Sequence, residues 1–453
     1  MNTSTDTLHV LSDWAAGLRY DTLPADLRSH IGWVLADTVA AIVAGSVEPE
    51  LRQWAARQTA SGGATLVGLG RCTQPAMAAL INGTAGTFLE MDEGNRFSRG
   101  HPAVHVLPAL LALADTQRLE RSDFLAALVV GYEVGSRIGA ASQLRSAMHP
   151  HGTWGTIGAA AACARAHGHT PALMKEAINV SASMTIATSK KTMLEGGLVR
   201  NVYAGLSNHN GMLAAQLAAC GFTGERDGVA SLFGQIVSER YDSAELLREL
   251  GSDWHVSHNY FKRHSCCRYN HGTLDALDLL DQRDGLPAAE QVARVEVRTY
   301  SLAAELSDPA PRNTLAAKFS VPFAVATRLI HGSSGMASFT WDAVRDERVL
   351  ALAQRVSVQE DPAMTARLPQ ERPALVRITT TDGRVLQAEV GVNRGDDASP
   401  YTAQELGAKF MELCTRVWPE AHAERVLHGT LALTRGQGGL GDWLQLLRRV
   451  PLR

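Results

Sequence analysis

The chain has no C-x-x-C pair among its six cysteines, which excludes the common zinc-ribbon and dithiol redox arrangements. Cys72, Cys163, Cys220, Cys266, Cys267 and Cys414 are scattered, and a chain of 453 residues can bury a core without disulfide staples. Free thiols in a reducing, cytoplasmic setting are the expectation. The adjacent Cys266 and Cys267 read as packing residues rather than as a thiol nucleophile. Nucleotide signatures are missing too: there is no G-x-x-x-x-G-K-[ST], and no strand runs into G-x-G-x-x-G. A formal net charge of −3 gives neither nucleic acid nor an anionic membrane a reason to bind. The opening MNTSTDTLHVLSDW lacks the basic and apolar regions of a leader peptide. No apolar run approaches the ~18 residues that a membrane span needs. The best candidate, residues 107–114, reads as a core helix.

What is there is an ordinary globular composition, 45% hydrophobic and 20% charged, at a length beyond one core, so two domains are expected. Residues 1–265 read as helix after helix. The spacing predicts helices over 31–44, with Gly45 as C-cap, over 75–90, and over 122–140 with Ser122 and Asp123 as caps. Ala-rich helices follow over 156–167 and 210–219, and so much Ala and Gly implies close helix packing. The texture then changes. Residues 291–300 (QVARVEVRTY) alternate as a strand, 355–359 supply another, and 374–390 form a hairpin turning at Asp382 and Gly383. A helix is expected over 315–330. The predicted fold is mainly α with an α+β second domain: an all-α helical domain from 1–265 and 400–453, and an α+β lid domain from 266–399. Residues 393–401 (NRGDDASPY) read as the linker.

The chemistry concentrates in two polar elbows, each opening a buried helix. The first, MDEGNRFSRGHPAVHVLPALLALAD from Met91, holds Asp92, Glu93, Arg96, Arg99, His101 and His105. The second, MHPHGTWGTIGAAAACARAHG from Met148, holds His149 and His151. A metal site on either pair is disfavoured, because Pro102 and Pro150 keep the preceding histidine out of a continuous helix and H-E-x-x-H is absent. A metal-free acid–base site fits better. Proton abstraction beside a carboxylate needs a base titrating near neutrality and cations for the enolate-like charge. His101, His149 and Asp92 are the base candidates; Arg96, Arg99, Arg200, Lys262 and Arg263 are the cations. FKRHSCCRYNHG, dense in Arg, His and Cys, falls where the helical texture ends, and domain junctions are favoured places for small-molecule sites.

Six segments, in order, resemble the MmgE/PrpD superfamily of 2-methylcitrate dehydratases, cis-aconitate decarboxylases and iminodisuccinate epimerases. They are LADTVAAIVAG, GHPAVHVLPALLALAD, HPHGTWGTIGAAAACARAHG, YAGLSNHNGMLAAQLAACGFTG, YFKRHSCCRYNHGTLDAL and KFSVPFAVATRLIHG. The resemblance implies a large all-α domain, a smaller α+β lid, usually a homodimer, and a site between the domains that uses neither metal nor organic cofactor. Carried over by position, it places Asp92, His101, His149 and Lys262 in that site. Three positions depart from the family pattern. Arg200 stands where a lysine is frequent, and it clamps carboxylates well but shuttles protons poorly. Phe323 stands where decarboxylases often have tyrosine, and His151 replaces a threonine.

The expected activity is that of a cofactor-independent lyase of dehydratase type, abstracting a proton α to a carboxylate of a small di- or tricarboxylic acid. His149 and His101 are base and acid, in that order or exchanged, with Asp92 and Lys262 beside them. Arg200, Arg96, His151, Arg263 and Phe323 contact the substrate. Two alternatives stay open: an epimerase or isomerase that returns the proton from the opposite face, and a non-catalytic carboxylate-binding protein.

Overall fold

The computed structural model describes residues 6–449; the remainder of the N-terminal stretch read for a leader and the last residues of the 400–453 segment lie outside the described residues. The fold is mainly α with a smaller α+β region. Helix α1 (Ala25–Ser46) is buried over most of its surface, and so are α2 (Pro75–Phe88), α3 (Leu107–Thr116), α4 (Arg121–Ala141), α5 (Trp154–Ala166) and α6 (Val202–Ala219). They pack in a spatial chain α4–α5–α6–α2–α1. Two of them correct the expectation that nothing approaches a membrane-spanning length. By length and composition α1 and α4 qualify, but 78% and 94% of their apolar windows are buried inside the protein. A helix apolar all round belongs in the middle of a fold or in a bilayer, and here protein covers it.

Small residues make this packing close. Gly45 is not the cap of α1, which continues to Ser46. A Cβ on Gly45 would lie 2.0 Å from the Ala85 carbonyl oxygen of α2, and one on Gly205 of α6 would lie 2.2 Å from the Leu80 carbonyl oxygen. Ser122 and Asp123 do not cap α4 either: Glu120 is the N-cap residue, with no side-chain bond.

A second hydrophobic cluster forms around a four-stranded sheet made by β3 (Val292–Thr299), β4 (Val356–Glu360), β5 (Ala374–Thr380) and β6 (Val385–Val390), in the order β6–β5–β3–β4. The pairs β6–β5 and β5–β3 are antiparallel, and β3–β4 is parallel. Alternate residues of β5, Ala374, Val376, Ile378 and Thr380, are buried, the two-residue period of a strand with one covered face. Helix α7 (His271–Asp284) packs on β5 and β6, and α8 (Val321–His331) on β4. The helix expected over 315–330 is broken. It splits into Thr314–Lys318 and α8, and Ser320 caps the second piece by accepting from the Phe323 amide at 3.0 Å.

Helices α9 (Ala403–Cys414) and α10 (Glu420–Thr434) return to pack on α1, adding Leu406, Phe410, Leu413 and Trp418 to the first core. The 393–401 stretch, read as a linker, is pinned: Asp396 pairs with Arg268 at 2.9 Å and Asp397 with Arg96 at 2.6 Å. Short two-stranded ribbons, invisible in the sequence pattern, staple the helical part. In one, β1 (Gly94–Asn95) pairs with β2 (Asn259–Tyr260). That ladder brings the loop carrying Asp92 and His101 alongside the segment carrying Lys262.

Candidate active site

Both polar elbows and the end of β2 converge on one buried cluster. Past the end of α2, Glu90 takes a left-handed backbone conformation (φ 54°), which a non-glycine residue rarely adopts. Its carboxylate contacts the Arg200 guanidinium and, at 3.4 Å, the Lys262 ammonium. Burial pushes the Glu90 carboxyl up, but Arg200 and Lys262 outweigh it and hold the group at about 2. Lys262 is fully buried and also lies 3.4 Å from Asp92. Burial disfavours its charge, yet Asp92 and Glu90 prevail, and its affinity for the proton rises. Lys262 is therefore a fixed cation and not a base near neutral pH.

His101 has a defined orientation. Its Nδ1 lies 2.7 Å from the Glu93 carbonyl oxygen and 3.3 Å from an Asp92 carboxylate oxygen. Both partners only accept, so Nδ1 carries the proton and Nε2 carries the lone pair. Burial pulls the His101 pKa below its ordinary value, while Asp92 pulls it back up. The Asp92 oxygens have no hydrogen-bond donor. The arrangement is an imidazole fixed by the Glu93 carbonyl, with a carboxylate 3.3 Å away acting on it by charge and the far nitrogen a base. Glu93 supports it from behind, accepting from the Ala103 amide at 3.0 Å and the Tyr132 hydroxyl at 3.0 Å. Burial raises the Glu93 carboxyl to about 8.

His149 sits across the cluster. The His151 amide donates to its Nδ1 at 3.1 Å, and Arg200 Nε approaches its Nε2 at 3.4 Å. A neutral imidazole has one acceptor nitrogen. Both ring nitrogens of His149 thus face a donor, and the neutral ring accepts from only one of them. Burial and Arg200 hold His149 well below the ordinary histidine range. His151 stacks edge-to-face on three rings: His101 at 5.2 Å, His105 at 4.8 Å and His149 at 4.7 Å. Its Nδ1 and both nitrogens of His105 have no hydrogen-bond partner. Burial holds His105 at about 3.

Of the residues named from the sequence, Asp92, His101, His149, His151, Lys262 and Arg200 are thus brought together. Three lie outside the cluster. Arg96 is bidentate to Asp397, which also accepts from His258 at 2.8 Å. Arg263 is exposed, beside the fully buried Lys262. Phe323 packs against Phe339 in the second core, and the ring beneath Arg200 is that of Phe319, 5.2 Å away. Four charged residues of the neighbourhood were not singled out as site candidates. Glu90 lies two positions before Asp92, an alternation in LEMDE that could have marked it. Glu93 directly follows Asp92 in the same run. Lys318, buried and 3.5 Å from the Phe88 carbonyl, opens the K-F-S motif. Lys409, in the tail, bonds Asp37 at 2.5 Å and the Met91 carbonyl at 2.7 Å, and nothing in its local sequence marks it.

Cys266 and Cys267 are buried, and burial raises the thiol of Cys267 to about 11 and that of Cys266 further. Among the described residues, no group of three or more His, Cys, Asp or Glu side chains could hold a metal ion.

Residues 9–238 match the MmgE/PrpD N-terminal domain and residues 264–433 the MmgE/PrpD C-terminal domain. The second match includes α9 and α10, which pack into the first core. Across 93% of its length the chain is 25% identical to a cis-aconitate decarboxylase-like protein, oryM, of Aspergillus oryzae, covering 93% of that protein. It is 24% identical to a cis-aconitate decarboxylase of Aspergillus terreus, over 93% of this chain and 92% of that one.

Proposed function

The chain belongs to the MmgE/PrpD family, and from that premise we propose that it is a lyase for a small di- or tricarboxylic acid, working by proton abstraction α to a carboxylate. It is an enzyme acting on a carboxylic acid, as its relatives' names support; the reaction type and the roles below are our reading. The carrying observation is the orientation of His101. With Nδ1 held by the Glu93 carbonyl, the Asp92 carboxylate 3.3 Å away, and burial favouring the neutral ring, Nε2 is a base. Asp92 steadies the imidazolium that forms. Lys262 and Arg200 neutralise substrate carboxylates and the charge that spreads onto one of them as the C–H bond breaks. His149, across the cluster, is the second imidazole and takes the part of the acid toward the departing hydroxyl. The hydrogen bonding of His101 favours it as base, which leaves the acid's part to His149, the exchanged order of the pair. The reaction asks for no metal or organic cofactor.

A second reading, decarboxylation, is favoured by the names of the relatives. It would use the same pair in the opposite sense, His101 delivering a proton to carbon as carbon dioxide leaves. One NMR experiment in deuterated water separates the outcomes, using citrate-, malate- and aspartate-like acids together with cis-aconitate. An unsaturated acid formed without loss of carbon supports dehydration. Loss of one carboxyl carbon supports decarboxylation. Deuterium in recovered substrate or its stereoisomer, with no unsaturated product, moves the assignment to epimerisation. Thermal stabilisation by an acid without any conversion leaves only binding. A homodimer belongs to this reading, and light scattering at micromolar concentration tests it.

A further inference from the structure

The segment FKRHSCCRYNHG contributes more than Lys262. His264, two residues on, is buried and belongs to a second constellation. Its Nδ1 lies 2.6 Å from the Ser334 hydroxyl and its Nε2 3.1 Å from an Asp275 carboxylate oxygen. The carboxylate only accepts, so Nε2 carries the proton and Nδ1 receives the serine hydroxyl. The other Asp275 oxygen accepts from the Arg394 amide at 2.9 Å. The acid is thus fixed at both oxygens, and the imidazole at both nitrogens. Ser334 lies in the tight HGSSG turn after α8, where Gly332 takes the left-handed conformation (φ 66°). Ser334, His264 and Asp275 together line a cavity of about 560 Å³, within the range of small-molecule sites. His101, His149 and Lys262 do not line it. Two arginines on its wall are committed, Arg328 to Asp278 and Asp281, and Arg394 to Glu405. Arg263, also on the wall, forms no ion pair among the described residues.

We propose that Ser334, His264 and Asp275 form a nucleophilic triad, and that the cavity beside them takes a small carboxylic ester bearing an anionic group, which Arg263 meets. A serine hydroxyl hydrogen-bonded to an imidazole, itself oriented by a fixed carboxylate, is the arrangement that activates an otherwise weak nucleophile. Ser334 Oγ attacks the ester carbonyl carbon, and its proton passes to His264 Nδ1. The bond to the alcohol oxygen breaks, and His264 returns the proton to that oxygen. Water then attacks the acyl-serine, again through His264, and releases the acid and the free serine. The sum is ester plus water giving acid plus alcohol, with no redox change. This activity is independent of the lyase reading.

The test treats the full-length protein with a fluorophosphonate probe, maps the adduct by peptide mass spectrometry, and follows hydrolysis of p-nitrophenyl hydrogen succinate and p-nitrophenyl acetate. Expected are an adduct on Ser334 and hydrolysis that prefers the anionic ester. Labelling and hydrolysis should fall about a hundredfold in Ser334→Ala and in His264→Ala. Arg263→Ala should remove the preference for the anionic ester over the acetate. Absence of an adduct on Ser334 in the native protein overturns the proposal whether or not the variants fold. So does hydrolysis that persists unchanged in a Ser334→Ala protein of native circular dichroism.

Discussion

At the scale of single residues, the decisive feature is which nitrogen of His101 is free. Replacing His101 with Asn should lower kcat by about 10²–10⁴-fold, with a native circular dichroism spectrum; unchanged turnover would remove it as the base. The sign of the pH dependence follows from the same geometry. A base works deprotonated, so kcat/KM should rise with pH along a limb set by His101, below the ordinary histidine value because burial lowers it. Asp92 opposes that lowering, so Asp92→Asn should move the limb to still lower pH while reducing kcat. A limb that moves upward would contradict the pairing. Much of this cluster was legible because imidazoles and acids stand out among Ala and Gly. What misled was sequence adjacency. Arg263 follows Lys262, yet one is fully buried while the other is exposed. Phe323 lies four residues beyond the ring that meets Arg200. The break at Ser320 turns it into the second core and leaves Phe319 under Arg200.

At the scale of elements, the helices were readable from apolar periodicity and the sheet from alternation, because both patterns extend over many residues. The β1–β2 ladder was not, since two residues carry no period. Nor was Gly45 as a packing residue: a glycine near a helix end looks like a cap until its neighbour is known. Gly45→Ala should lower the urea midpoint by the equivalent of about 1–3 kcal/mol, an overpacking cost, because its methyl would meet the Ala85 carbonyl. An unchanged midpoint would mean that α1 and α2 can part without penalty. The tail is tied to α1 by Lys409 and Asp37, each nearly inaccessible to solvent. Lys409→Ala strands a buried carboxylate and should cost about 3–5 kcal/mol, whereas the double change Lys409→Met with Asp37→Leu should recover most of it. Denaturant titration of the three proteins checks this, and equal losses in the single and double variants would argue against a coupled pair.

At the scale of the whole molecule, many histidines are buried in the neutral form. His105 and His255 are held at about 3, and His149, His151 and His271 well below the ordinary range, with burial the leading cause throughout. Each binds a proton in the unfolded chain near pH 6.5 but not in the native one. Stability should therefore be retained above that pH and fall as pH drops below it, by up to about 1.4 kcal/mol per pH unit for each histidine. Glu93, raised to about 8, acts in the opposite sense. Its native form keeps a proton that the unfolded chain releases above pH 4.5, and Asp37 and Glu133, raised by burial, and His258, raised by its bond to Asp397, act in the same sense, but the lowered histidines outnumber these groups. Denaturant midpoints at pH 7.5, 6.5 and 5.5 should decline in that order; a flat series would contradict the buried neutral rings. The enclosure that causes these shifts has a kinetic consequence as well. His101 is only 7% accessible, His149 3% and Lys262 not at all, so a metabolite of citrate size has no standing doorway to them. Every turnover must then include a breathing motion of the chain at entry and again at exit, and thickening the medium with sucrose should slow a good substrate more than a poor one.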